Sequence, residues 1–266
     1  MKKSNKEKVN ILWTGGFDST FRIIELSREN IIIHPIYLID ENRASTNYEI
    51  NAMNKIMTLL KDKKETKALF DEIEYIKLED IPKNKKIDES YRKLKKEFEL
   101  GIQYSWIARL ALIRPELELG LENVKKSKSG CNATIRKYGK IINTNDIHRL
   151  TLSKKDSSKE LYDIFGNIRL PIKDKTEQEM KKIIDDLGYN DVIKEIWFCH
   201  TPINNRPCGL CHPCIVKYNA GFRDTIPFVS KVRIIIRKFL SKFLGDAKVN
   251  ELSKKYRRSI KRKKGI

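Results

Sequence analysis

The sequence has no run of roughly 18 apolar residues, so no part of it reads as a membrane-spanning helix. It opens Met1-Lys2-Lys3-Ser4-Asn5-Lys6 and passes directly into a short apolar strand pattern, without the apolar stretch of a secretory leader, and the expectation is a cytoplasmic protein. Cysteine is scarce and unevenly spread: four of the 5 fall between Cys199 and Cys214, leaving Cys131 alone. That distribution argues against a disulfide framework and for metal binding in a reducing compartment. No internal repeat is visible, and no lysine follows the first glycine pair, which excludes the nucleoside-triphosphatase loop ending in Gly-Lys-Ser/Thr. Acidic residues are the minority, 35 against 55 Lys and Arg, for a net charge of +20. Such a balance favours polyanionic partners such as nucleotides, nucleic acid or acidic lipid, and says nothing about fold.

With 266 residues, 40% of them hydrophobic, the chain is long enough to bury a substantial core. Val9 to Trp13 reads as a buried strand, Gly15-Gly16 as a turn, Ser19 to Arg28 as a helix and Ile31 to Ile39 as a second strand. A strand, a glycine turn, a helix and a continuous apolar strand form the repeating unit of a parallel α/β sheet. Asn47 to Lys61, Ser105 to Arg114 and Thr176 to Leu187 read as helices, the last capped by Asp174 or Thr176 and ended by Gly188. Glu74 to Leu78, Glu118 to Glu122 and Ile168 to Ile172 read as strands. Lys83 to Lys96 reads as a charged stretch mostly outside the core, and Val124 to Asp156 as a long excursion, mobile or functional.

The most informative stretch of the first half is Trp13-Thr14-Gly15-Gly16-Phe17-Asp18-Ser19-Thr20. Two glycines let the backbone turn tightly and approach an anion, and the amides that open the following helix point at that anion with the helix dipole behind them. Thr14 and Ser19 add hydroxyl donors. Asp18 is out of place in an anion loop unless it holds a magnesium ion or braces the backbone. The plainer alternative is a Gly-Gly turn with a helix cap at Asp18 and no ligand. The pattern resembles the pyrophosphate loop of the N-type ATP pyrophosphatases, Ser-Gly-Gly-x-Asp-Ser, with Thr14 in the first position. The resemblance implies that the loop holds the β and γ phosphates of ATP while a substrate carboxylate or carbonyl oxygen attacks the α phosphate.

Cys199, Cys208, Cys211 and Cys214 have the spacing Cys-x8-Cys-Gly-x-Cys-x2-Cys. Three closely spaced thiolates and a fourth from a preceding loop suit tetrahedral zinc, and four protein ligands leave no open position, so the expectation is a structural site. An iron–sulfur cluster and redox-active thiols are the competing readings, and His200 and His212 are taken as bystanders. In its setting of Trp-x-Cys-x2-Pro the segment resembles the zinc segment of 7-cyano-7-deazaguanine synthases, themselves N-type pyrophosphatases. Leu170-Pro171-Ile172-Lys173-Asp174-Lys175-Thr176 resembles that family's Pro-Leu-x-Asp-x-Thr-Lys segment, with Glu177 where the family has its second lysine; Lys173 or Lys175 is expected to supply that charge.

The motifs occur in the family's order from Val9 to about Phe222. The implied fold is an open, parallel five-stranded sheet flanked by helices, similar to the adenine nucleotide alpha hydrolases, with ATP at the carboxyl edge of the first strands. The implied units are residues 1–195 as the pyrophosphatase domain, 196–224 as the zinc segment and 225–266 as a basic helical tail. The implied reaction uses ATP, magnesium and a nitrogen donor such as ammonia to convert a carboxylate or oxo substrate through an adenylated intermediate. Asp18, Ser19, Lys173 and Lys175 are the catalytic candidates. Trp13, Thr14, Gly15, Gly16, Asp18, Ser19, Thr20, Asp40, Arg43 and Gln103 are the nucleotide-binding ones.

Several of these have a bland alternative. Asp40 is placed to meet adenosine and Arg43 to neutralise a carboxylate or phosphate, or both are solvated loop charges. Gln103 and Tyr104 either touch nucleotide or substrate, or Tyr104 is simply packed in the core. The regions at Asp40 to Ser45, Gly101 to Tyr104 and Val124 to Asp156 depart from a deazaguanine synthase, so the resemblance does not extend to the substrate. Transfer-RNA thiolation, with Cys131 as the one free thiol, and a non-catalytic nucleotide-binding adaptor are the alternatives.

From Thr225 to Ile266 there are fourteen Lys or Arg and two Asp or Glu, a net +12. Phe228, Val232, Ile235, Ile236, Phe239 and Phe243 recur there at helical spacing. This basic amphipathic helix packs on the body, forms a homodimer seam, or lies on an anionic membrane, with nucleic acid a further partner. Lys254 to Lys264 is expected to be a solvated or disordered extension.

Overall fold

The computed structural model describes residues 6–263; positions 1–5 and 264–266, at the outer ends of the expected first and last units, lie outside the described residues. The first half alternates as its pattern requires: β1 (Lys8–Leu12), α1 (Phe17–Ser27), β2 (Ile32–Ile39) and α2 (Thr46–Lys61). Two short strands follow, β3 (Leu69–Phe70) and β4 (Glu74–Lys77), then α3 (Lys85–Phe98), α4 (Gln103–Leu110) and β5 (Leu117–Leu119). The excursion contains α5 (Gly130–Tyr138), β6 (Ile141–Asn143) and β7 (Leu150–Leu152). Next come α6 (Lys159–Phe165), β8 (Ile168–Arg169), α7 (Glu177–Leu187) and α8 (Asn190–Lys194). The chain continues through α9 (His212–Asn219), α10 (Phe228–Leu244) and α11 (Asp246–Lys263).

The strands form one sheet in the order β3-β2-β1-β5-β8-β7-β6, with β4 also on β2. β3 pairs with Ile32 and Ile33, and β4 with Ile36 to Ile39, so the two share one edge position. The parallel part therefore fills five positions, and the antiparallel β6–β7 hairpin extends it beyond β8. Alternate residues of β1 and its exit enter opposite cores: Val9, Ile11 and Trp13 on one side, Leu12 on the other. The first core takes α1, α2 and α7 through residues such as Phe21, Ile56 and Met180, and the second takes α3, α4, α5 and α6. A mostly parallel sheet covered by helices on both faces is the result, as continuous apolar strands demand.

Two stretches carry more regular structure than their sequence declared. Lys83 to Lys96 is largely a helix with one face in the core: Ile87, Tyr91 and Leu94 are buried at helical spacing, and Asn84 caps the start by accepting the Ile87 N–H at 3.1 Å. Lysines on its other faces mask that stripe in a composition count. Within the excursion, each hairpin strand spans only three residues, too few for alternation to register. The hairpin is tied to the body at His148, whose Nδ1 lies 2.9 Å from Glu118 of β5, while Arg22 of α1 forks onto the same carboxylate at 2.8 Å.

Residues on either side of position 195 share the first core, because Cys199, Cys208, Cys211, Cys214 and Phe222 pack into the same cluster as Trp13 and Phe17. α10 joins it through Ile234. Of the two expectations for Lys254 to Lys264, solvated or disordered, the first holds for the described residues: as far as Lys263 they belong to α11, with side chains from Lys254 to Ile260 exposed or half-buried and Arg257 donating to Thr201 at 2.8 Å. Among the described residues no helix is long and apolar enough to cross a membrane.

Candidate functional site at the glycine loop

β1 ends at Leu12 and the chain turns through Thr14-Gly15-Gly16 into α1. Gly15 has φ +65°, and a Cβ there would press on the Glu49 carbonyl at 3.1 Å and on Ala52 at 3.2 Å, so both its conformation and its packing against α2 require glycine. Gly16 is the extended residue before α1, Thr14 is exposed, and Gly16 and Asp18 are half-exposed. Ser19 is buried, its hydroxyl 3.4 Å from the Gly16 carbonyl. Trp13 is buried and donates from Nε1 to the Thr20 hydroxyl at 3.0 Å. The Trp13, Ser19 and Thr20 side chains therefore brace the loop from beneath.

Carboxylates gather at the start of α1. Burial, with Glu177 adding to it and Lys217 opposing it, raises the Asp18 carboxyl to about 6; the nearby backbone amide of Glu122 offsets part of the rise. Glu122, on the loop leaving β5, is raised to about 7, chiefly by burial and then by Asp18 and Glu177. Lys217 of α9 forms an ion pair with Glu177, the first residue of α7, and its ammonium stands 4.6 Å from the Phe17 ring centroid. Three carboxylates and one ammonium thus meet beside a glycine loop. Glu122, Glu177 and Lys217 were not among the expected site residues. Glu177 carried a signal, as the acidic residue where a lysine was expected, and Lys217 carried none.

Lys173 is buried, donating to the Glu122 carbonyl at 3.0 Å and to Asn132, and burial lowers its pKa. It holds the loop that carries Glu122. Lys175 pairs with Asp174 at 2.9 Å, and its carbonyl accepts the Asn123 N–H at 2.7 Å. Lys175 lies close enough to the first turn of α7 to act on Glu179, while the ammonium paired with Glu177, where the missing charge was expected, is that of Lys217. The capping box that opens α7 is made by Thr176 and Glu179, which decides between the two expected caps.

Asp40 follows β2 and its carboxylate accepts the Asn42 N–H at 3.0 Å. Arg43 is committed to Glu49, at 2.8 Å, whose buried carboxylate also accepts from Tyr37 and Ser45. It neutralises a buried charge while its own side chain stays partly exposed. Gln103 is exposed at the start of α4. Its neighbour Tyr104 turns inward against Phe165, at 5.4 Å, and burial followed by Cys131 pushes its phenol well up. Cys131 is buried, and its thiol is pushed up to about 11, mainly by burial.

The four clustered cysteines are all buried, with ligand atoms within 4.8 Å of one another. Sγ separations are 4.0 Å for Cys208–Cys214, 3.9 Å for Cys199–Cys211 and 3.4 Å for Cys211–Cys214. A tetrahedral site with Zn–S bonds of about 2.3 Å places its sulfurs about 3.8 Å apart, so the set fits zinc. The backbone N–H groups of Leu210 and Cys211 both donate to Cys208 Sγ at 3.2 Å, the pattern that stabilises thiolate. The segment reaches the glycine loop directly: Trp197 donates its N–H to the Gly15 carbonyl at 2.8 Å and stacks on Tyr48 of α2 at 4.6 Å.

No family model matches the chain, and no characterised protein matches it by sequence. The site therefore has to be read from its own chemistry. Two clefts lie elsewhere, one of about 400 Å³ beside Arg22 and Arg149 and one of about 330 Å³ between Arg206 and Arg233.

Proposed function

We propose that the protein is an ATP-dependent ligase that adenylates a carboxylate or oxo substrate at the Thr14 to Ser19 loop, releases pyrophosphate and admits a nitrogen nucleophile. The observation that carries this reading is the meeting of Asp18, Glu122, Glu177 and Lys217 at the amino end of α1. Backbone amides at a helix start attract phosphate oxygens. Asp18 and Glu122 are half-buried carboxyls whose pKa values are raised by burial and by their like charges, and they suit magnesium carried in with a nucleotide. Magnesium, when bound, would neutralise charge on the phosphates and on the departing pyrophosphate.

In this reading the Gly15 and Gly16 backbone and the Thr14 hydroxyl hold the outer phosphates. Lys217 supplies the positive charge that the expected lysine would have brought, and Lys173 positions the Glu122 loop. The substrate oxygen attacks the α phosphorus, pyrophosphate leaves with the bridging electrons, and ammonia then displaces AMP from the activated carbon. The buried, weakly acidic Cys131 is a poor nucleophile, which disfavours transfer-RNA thiolation. Four buried thiols suit zinc as a structural ion, with no position left for substrate.

The test is incubation of purified protein with magnesium, ATP labelled at the α phosphate, ammonium and pools of candidate carboxylates. The expected products are AMP and pyrophosphate in equal amounts, formed only when the substrate is present. Release of ADP and phosphate, or nucleotide binding without turnover across broad pools, would replace the reading with a phosphorylating enzyme or an adaptor.

A further inference from the structure

α10 has two faces on opposite sides of its axis. One is seated on the cysteine segment: Ile234 and Ser230 are buried, and Ser230 donates to the Pro207 carbonyl. Arg233 donates to the Cys208 carbonyl at 3.4 Å and Arg237 to that of Leu210. Gly209, with φ +71°, lies so close that a Cβ would clash with the Ser230 carbonyl oxygen. The helix is thus held in a fixed orientation by the cysteine loop itself.

The opposite face is apolar and bare. Phe228, Val232, Ile235, Phe239 and Phe243 fall on one stripe at the helical repeat, and the three phenylalanines are 79%, 60% and 71% exposed. The Phe239 and Phe243 rings touch, with centroids 4.8 Å apart. An exposed apolar stripe of this size marks an interaction surface. Its surroundings choose the partner: the stretch from Thr225 to Ile266 carries a net +12, and Lys242 stands beside the stripe. A second copy of the chain would bring an equal positive charge against it. Nucleic acid would use the charge and leave Val232 and Ile235 without a role.

We propose that α10 lies in the plane of an anionic phospholipid bilayer surface, with Phe228, Phe239 and Phe243 inserted among the acyl chains and the surrounding lysines on the headgroups. A basic amphipathic helix of this kind binds through apolar burial and charge together, so both are required. The inference stands apart from the adenylation reading, since it uses no residue of the glycine loop.

The full chain, loaded with zinc, is sedimented with vesicles of phosphatidylcholine alone and of equimolar phosphatidylcholine and phosphatidylglycerol. Expected is capture by the anionic vesicles only, weakened by salt, and weakened about tenfold or more by Phe239→Ser with Phe243→Ser, which alters exposed side chains. Zinc content and thermal midpoint of the double variant are measured alongside and should match the parent. Absence of capture overturns the proposal. So does equal capture of parent and variant, or a concentration-dependent dimer lost in the variant without vesicle binding. RNA retention that the variant loses, with vesicles ignored, overturns it in favour of nucleic acid.

Discussion

The ammonium of Lys217 on α9 is ion-paired with the carboxylate of Glu177 at the first turn of α7. Lys217 lies three residues beyond Cys214, beside the paired rings of Phe17 and Phe222, with its nitrogen 4.6 and 4.8 Å from their centroids. The cysteine segment therefore delivers a cation to the start of α1, and its folding and the charge of the glycine loop are physically linked. A carboxylate at the amino end of a helix is favourably placed by the dipole, but three carboxylates together need a counter-charge. Lys217 is that charge in the ligand-free protein.

Replacing Lys217 by Met should lower AMP formation by about a hundredfold, the cost of losing one preorganised charge beside a phosphoryl centre. The single change also leaves Glu177 unpaired, so the decisive variant is Lys217→Met with Glu177→Gln, which removes both charges. If Lys217 serves the phosphates, the double variant stays slow although its thermal midpoint recovers. Restored turnover would reduce the lysine to a partner for Glu177.

Zinc removal should act on the same site from a distance. Elemental analysis is expected to give about one zinc per chain, and chelation or Cys211→Ser should lower the thermal midpoint, because the binding energy of a structural zinc is folding energy. Trp197 joins the segment to Gly15 and Tyr48, so tryptophan fluorescence should report the opening, with nucleotide affinity falling in parallel. Loss of zinc with affinity unchanged would separate the segment from the loop.

The residues that were legible in sequence are those whose role is local. The strand, glycine turn and helix at Val9 to Arg28 declare themselves because apolar period and turn chemistry act within a few residues. The cysteines do so because thiolate spacing is itself the ligand geometry. Lys217 and Glu122 were illegible because their meaning comes from α9 and the β5 exit arriving at α1 from far along the chain, which no spacing records. Arg43 and Trp13 have contacts that were illegible for the complementary reason. Each looks available in sequence, and each is committed in the fold to a partner, Glu49 and Thr20.

The buried network around Glu118 should be stability-critical. Its carboxylate is fully buried between Arg22 and His148, so Glu118→Gln leaves the buried Arg22 guanidinium with Glu25 alone as counter-charge and should cost about 3 kcal/mol in urea unfolding. Burial opposes the protonation of His148, yet the Glu118 contact prevails and its pKa stands above the ordinary 6.5. A histidine raised in the fold contributes stability that is complete below its unfolded pKa and lost as pH rises through the folded one. Unfolding free energy measured upward from about pH 6.5 should therefore decline in the parent, and the His148 component of that decline should vanish in His148→Gln.

Magnesium–nucleotide binding should strengthen as pH rises through the range in which Asp18 and Glu122 lose their protons. Burial holds these carboxyls at about 6 and about 7, against ordinary values of 3.8 and 4.5, so both are substantially protonated in mildly acidic solution. A metal ion requires the ionised form, so binding must expel protons there. For the ligand-free fold the sign is opposite: a carboxyl raised on folding favours the native state at low pH and destabilises it once ionised, so this contribution to stability declines as pH climbs from the unfolded toward the folded pKa. Calorimetric titration with magnesium and a non-hydrolysable ATP analogue, in two buffers of different ionisation enthalpy, measures the protons released. The release should be greater near pH 6 than at about pH 8, and reduced in Asp18→Asn. Affinity that does not change across this range would place the magnesium ion away from Asp18 and Glu122 and leave the glycine loop to hold phosphate through its backbone alone.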